Sequence, residues 1–321
     1  SAVSFQLSSN GKPLSDASTK WWNAVAAAAT DDGFLVLLEG LEGNVDGKYN
    51  VYSTGTDGVL DKKNAWKSPD AAVSAGWEDL FNLDLNQDET TGLTDRPGLN
   101  FGFDGFKAEY LLGEGESAVS FQLSSNGKPL SDASTKWWNA VAAAATDDGF
   151  LVLLEGLQGN VDGKYNVFST GTDGVVDTKA GWRAIDAAVS AGWEELFSVD
   201  LDGKSAKVRE GIELGFEGRN AFYQLQGKNS LFSLRNRNGK TYSDASTTAW
   251  DVIGSKENAD GDESGAGFQV LLEGEEGSDK AGQYYVWSTD ATGEIKKGSG
   301  WLSQEKAIAA GWEELFSVDL D

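Results

Sequence analysis

Hydrophobic and polar positions along this chain follow short periods that change every few residues. VSFQLSS (3–9) alternates like a half-buried strand and runs into Asn10-Gly11, a dipeptide suited to a tight hairpin turn. Ser15 or Asp16 then predicts the cap of a helix carried through the Ala-rich stretch at 24–29, with Gly33 as its stop. FLVLLEG (34–40) is too short and too apolar for a surface helix and predicts a buried strand. KYNVYST (48–54) predicts its partner, and Asp57-Gly58 turns the chain into another short strand. Ser68-Pro69 signals a second helix, because proline fits the first helical position, leading through Gly76 into WEDLF (77–81). GLNFGFD (98–104) and FKAEYLL (106–112) alternate on either side of Asp104-Gly105 and read as a hairpin. The expected class is α+β, mainly antiparallel sheet with two short helices per repeat.

The pattern then starts again. Residues 1–41 recur unchanged as 117–157, and the likeness continues through GWEDLFNLDL (76–85) and GWEELFSVDL (192–201). A diverged third copy, 230–321, keeps NGKTYSDAST, GFQVLLEG, QYYVWST and GWEELFSVDL in the same order. GLNFGFDGFKAEY (98–110) likewise matches GIELGFEGRNAFY (211–223). The expected organisation is three tandem modules, 1–85, 117–201 and 230–321, linked by β-hairpin connectors at 86–116 and 202–229. The chain opens where a module opens and stops where a connector would follow, which reads as a cut through a longer array or a terminus set at a module edge.

Comparing copies sorts the tryptophans. Trp22, Trp138 and Trp250 match, as do Trp66, Trp182 and Trp301, and Trp77, Trp193 and Trp312. Recurrence at one place per module is the mark of core aromatics. Trp287, replaced by Tyr52 and Phe168, is a strand position of the same kind. Trp21 and Trp137 have Ala249 as counterpart and, beside a buried neighbour, are expected to face outward. There they could stack on a sugar, contact another module or partner, or have no role.

Composition narrows the chemistry. The 321 residues include 51 acidic and 26 basic side chains, a net charge of −25, with no His, Cys or Met. Disulfides, Cys/His zinc sites and His-dependent nucleophiles are excluded. So strong a negative field disfavours nucleic acid and anionic membrane surfaces. No apolar run approaches the ~20 residues of a membrane-spanning helix, so no membrane insertion is expected.

Oxygen ligands remain. Asp84, Asn86, Asp88 and Thr90, with Asp95 at the twelfth place, have the spacing of a single-loop calcium site, although Glu89 stands where such loops carry glycine. In the second copy Asp200 and Asp202 are followed by Lys204 and Gly211 at the fifth and twelfth places, and the third stops at Asp319-Leu-Asp321. Asn258, Asp260, Asp262 and Ser264 form a second candidate loop with Gly261, but Gln269 stands where the last carboxylate belongs.

Module three, through Gly267, Phe268, Val270, Leu271, Tyr284, Val286, Trp287, Asp290, Gly293, Glu313 or Glu314, Phe316, Asp319 and Leu320, resembles the tryptophan-rich domain found at the C-termini of cyanobacterial proteins. Modules one and two resemble it with Tyr52 and Phe168 in the Trp place. That resemblance implies an exported, calcium-rich setting, secreted or at the cell surface, and brings with it no activity to carry over to this chain. Its usual D-L-N-G-D-G ending is altered in copy one, broken in copy two and cut short in copy three, and no glycine-rich nonapeptide repeat accompanies it. The expected function is a non-enzymatic extracellular structural or adhesive repeat protein, forming a fibre, layer or matrix with calcium through self-association or neighbouring modules. The alternative is a tandem array binding extracellular polysaccharide through exposed Trp. A carboxylate enzyme such as a glycosidase is disfavoured by the triplication.

Overall fold

The computed structural model describes residues 2–89, 96–104, 106–204, 209–246, 249–258 and 266–321. By its contacts the chain divides into two compact units, Ser1–Gly163 with Val167–Lys179, and Lys164–Asn166 with Ala180–Asp321.

Unit one begins with an antiparallel meander of β1 (Trp22–Thr30), β2 (Gly33–Gly40), β3 (Tyr49–Gly55) and β4 (Leu60–Lys63), paired in that order. FLVLLEG is buried on both faces of this sheet. Leu35 and Leu37 pack with Ala72, Ala75 and Trp77, while Val36 and Leu38 face Phe5, Trp22 and Trp66. A strand covered on both sides reads as a continuous apolar run, as this one does.

The Ala-rich stretch is not a helix. It is β1, with Ala27 opposite Val36 and Ala29 opposite Phe34, closed by the turn between Thr30 and Gly33. Alanine's helix preference is worth a few tenths of a kcal/mol per residue. A buried β2 with one edge unpaired would leave several backbone groups without hydrogen bonds, at about 1–3 kcal/mol each. Ser15 instead closes one 3-10 turn, Asp16–Ser18. The helix expected from Pro69 through Gly76 into WEDLF is instead two, α1 (Pro69–Val73) and α2 (Trp77–Phe81), because Gly76 takes the left-handed φ of +74 and breaks it. Ser68 Oγ caps α1 by accepting from Ala71 N at 3.4 Å.

β5 (Leu99–Asp104), β6 (Lys107–Leu112) and β7 (Val119–Ser120) follow as a three-stranded sheet. β8 (Trp138–Thr146), β9 (Gly149–Gly156), β10 (Lys164–Gly171) from Val167 onward and β11 (Val176–Lys179) repeat the meander order. The pairing of β8 with β9 has the same register shift as β1 with β2.

Unit two starts with the first residues of β10 paired to β12 (Arg183–Ala184), followed by α3 (Ile185–Val189) and α4 (Trp193–Phe197). A sheet of β13 (Ile212–Glu217), β14 (Asn220–Gln226) and β15 (Leu231–Ser233) comes next. The last sheet contains β16 (Trp250–Glu257), β17 (Phe268–Gly274), β18 (Gln283–Thr289) and β19 (Ile295–Gly298), with β20 (Leu302–Ser303) also on β18. The chain closes on α5 (Gln304–Ala309) and α6 (Trp312–Phe316). One face of this sheet packs Leu271, Tyr284 and Val286 on Ala307, Trp312 and Phe316. On the other, Val252, Val270 and Leu272 share a core with Ile212, Tyr223 and Leu225.

Among the described residues the fold is thus β-rich, with five sheets built from antiparallel pairs and a few short helices. Among the described residues no helix is long and apolar enough to cross a membrane. Trp77 and Trp193 are fully buried and Trp312 nearly so, whereas Trp22, Trp138, Trp250, Trp66, Trp182, Trp301 and Trp287 are half-buried.

Candidate functional site

Each WE(D/E)LF helix ends on a residue with positive φ, Asn82, Ser198 or Ser317, which turns the chain back along the helix. The helix's own glutamate then fixes the returning segment. Glu78 Oε1 accepts from Leu85 N at 2.6 Å, Glu194 Oε1 from Leu201 N at 2.7 Å, and Glu313 Oε1 from Leu320 N at 3.0 Å. That turn gathers two carboxylate triplets, Glu194, Asp200 and Asp202, and Glu313, Asp319 and Asp321, each with oxygens within 4.8 Å of one another. A side-chain hydrogen bond with Asp319, and then the charges of Asp319 and Glu313, raise the pKa of Asp321. Lys204 Nζ sits 3.1 Å from Asp202 and holds that carboxyl below its ordinary range, so the second copy already carries part of its counter-charge.

The loop favoured by spacing alone is arranged differently. Asp84 Oδ1 accepts from Gln87 N and Asp88 N at 2.7 and 3.2 Å, and its Oδ2 from Glu89 N at 3.0 Å. Asn86 Nδ2 donates to Asp88 Oδ2 at 2.8 Å. Glu89 takes φ +70, the left-handed conformation for which glycine is the usual residue at the sixth place. Thr90 and Asp95 lie outside the described residues, as do Asp260, Asp262 and Ser264; Asn258 N donates to Gly267 O at 2.9 Å. Spacing reasoning missed Glu194 and Glu313, because it counted forward from the first aspartate. The shared W-E-E-L-F-S-V-D-L string held the signal.

Trp21 and Trp137 do face outward, each 52 % exposed. The reason is strand geometry rather than helical offset, since both immediately precede a half-buried Trp that opens a strand. The rings lie over Gly43 and Gly159, where a Cβ would approach to 3.2 and 2.8 Å. Trp21 O accepts from Leu41 N and Trp137 O from Leu157 N, both at 2.9 Å, and both leucines are exposed. In the third copy the same backbone pair is Ala249 and Glu275, so both apolar members are replaced together.

A second constellation escaped sequence reasoning altogether. Arg96 meets Asp132 in a bidentate pair, Nη1 to Oδ1 at 3.0 Å and Nη2 to Oδ2 at 2.9 Å, with both side chains under a tenth exposed. Nη1 also donates to Ala140 O at 2.6 Å. The Tyr110 hydroxyl donates to Asp132 Oδ1 and accepts from Ala140 N at 3.2 Å. The group recurs. Arg209 Nη2 donates to Asp244 Oδ2 at 2.6 Å and its Nε to Val252 O at 3.1 Å, and the Tyr223 hydroxyl donates to Asp244. Burial first, and then the neighbouring carboxylate, push both tyrosine hydroxyls well above their ordinary pKa.

These hairpins are also gripped from the preceding copy. Trp77 Nε1 donates to Phe106 O and Trp193 Nε1 to Arg219 O, each at 3.2 Å. Gly76 and Gly192 lie so close to Ala108 and Ala221 that a Cβ would come within 2.6 Å.

Compared with known proteins, the chain matches no family model, no curated protein and no solved structure.

Proposed function

We propose that the chain is a non-enzymatic structural repeat protein, three tandem modules held in series by β-hairpin connectors and presenting a repeated acidic surface outside the cell. The observation that carries this reading is the Arg–Asp–Tyr clasp. It occurs at matching positions of both connectors, and in each case the hairpin is also hydrogen-bonded to a buried Trp of the copy before it. A joint fixed on both sides transmits geometry from module to module, which suits a fibre, layer or matrix better than a substrate cleft. The likeness to the tryptophan-rich domain supports a secreted or cell-surface setting.

Calcium is part of the proposal. The triplets at Glu194, Asp200, Asp202 and at Glu313, Asp319, Asp321 supply the hard oxygen donors that such a cation takes. Trp21 and Trp137, with Leu41 and Leu157, favour a second reading, contact with extracellular polysaccharide or a neighbouring module.

The test is sedimentation and electron microscopy of the chain with and without millimolar calcium. Calcium-dependent oligomers or filaments are expected. Isolated monomers at high concentration with calcium contradict the reading. A glycan array with a Trp21-dependent signal would favour the polysaccharide alternative.

A further inference from the structure

Residues 1–41 and 117–157 are identical, so any difference in their exposure comes from what lies against them. Phe121, Leu130, Ala140 and Ala143 are buried, while their counterparts Phe5 and Leu14 are half-buried and Ala24 and Ala27 exposed. The cover on the second copy is the first connector. Ala143 N donates to Pro97 O at 2.8 Å, Ala140 N to the Tyr110 hydroxyl, and β7 pairs with β6. In the first copy Val3 and Ser4, the counterparts of β7, belong to no strand, and Val3 is 42 % exposed. Asp16, the counterpart of Asp132, is exposed and makes no side-chain hydrogen bond or ion pair among the described residues. Left open beside β1 is an apolar groove of about 460 Å³, lined by Val3, Phe5, Ala24, Ala27, Phe34 and Gly58 among others.

We propose that this groove is a docking site for a β-hairpin of the connector type, with Arg-x-Gly before its first strand, Gly-Phe within it and Ala-x-Tyr in its second strand. The occupant is identified by the cover seated on the identical sequence. Arginine and tyrosine would close on Asp16 as Arg96 and Tyr110 close on Asp132. The glycine is needed because Gly98 lies on Ala143, where a Cβ would fall 2.0 Å from the carbonyl oxygen. The second strand would extend onto the backbone of Val3 and Ser4, an edge-strand addition. The third copy repeats the recipe, with Glu210 bridged to Gly254 and Arg209 on Asp244. The biological meaning of this docking rests on the series-array reading, but docking and filament formation can each fail without the other.

The test is the full chain carrying a second copy of residues 86–116 ahead of its first residue, which reproduces the 36-residue separation between Arg96 and Asp132. The lowest thermal midpoint should rise by several degrees. Asp16→Ala should remove most of that gain while leaving the melting of the unextended chain unchanged. No rise, or a rise indifferent to Asp16→Ala, overturns the proposal. Sedimentation of the unextended chain reads the rival occupant: a dimer dissociated by Asp16→Ala assigns the groove to a second copy and also overturns it.

Discussion

Asp132 is nearly inaccessible, and its charge is tolerated because Arg96 and Tyr110 occupy its oxygens. Breaking such a pair from one side leaves a buried charge uncompensated, which costs about 3–5 kcal/mol. Arg96→Ala should therefore lower unfolding free energy by that amount in a denaturant titration, and Arg96→Lys by a good part of it, since an ammonium cannot reproduce the bidentate fork. Asp16→Ala should do almost nothing. A second residue-scale expectation concerns alkaline pH. Burial, then the charge of Glu273, raises Tyr284 to about 12, whereas an unfolded tyrosine titrates near ~10. The neutral phenol thus favours the folded chain below pH ~10, and that contribution is lost as pH rises from there through about 12. Tyr110 and Tyr223 shift in the same direction. Tyr284→Phe should flatten the pH dependence of the melting midpoint in this window. An unchanged slope would contradict the assignment.

At the scale of elements, the small residues of β8 are there for close approach. Gly98 has φ +66 and sits against the Ala143 carbonyl, and Gly211 has φ +69 and sits against Ser255. Gly98→Ala should cost more than the ~1 kcal/mol of the left-handed conformation alone, because the hairpin must also back away. Loss of Ala143 amide protection in hydrogen exchange would show the displacement. The alanine run also marks where sequence reasoning went wrong. Local propensity favours a helix at 24–29, but the apolar run at 34–40, correctly read as a buried strand, needs an edge partner and takes this segment. The hairpin at 98–112 and the Pro69 helix start were legible because each depends on a few adjacent residues; the left-handed Gly76 was not, since the helix was expected to run through it. The clasp was not, since Asp132 lies 36 residues from Arg96 and Asp244 lies 35 from Arg209, and an aspartate in S-D-A-S reads locally as a cap. Its trace was the equal offset of R-x-G and A-x-Y in both connectors. The acidic turn was half legible: the aspartates by spacing, the helix glutamate only from the fold.

For the whole molecule, the division between compact units falls inside the second copy and not at either connector. A flexible linker would have marked a boundary; hairpins packed on both neighbours do not. If calcium binds the acidic turns, its addition should raise the melting temperature, and Glu313→Gln with Asp319→Asn should remove part of the rise. No shift at millimolar calcium would remove the cation from the account. The central claim, that the clasps lock the modules in series, is tested most directly by urea unfolding of the Arg96→Ala/Arg209→Ala double variant followed by tryptophan fluorescence. Locked modules predict that the parent's steep transitions move to lower urea and separate into shallower steps, as expected when nearest-neighbour coupling in an array is lost. A double variant unfolding with the parent's midpoint and steepness would contradict the claim.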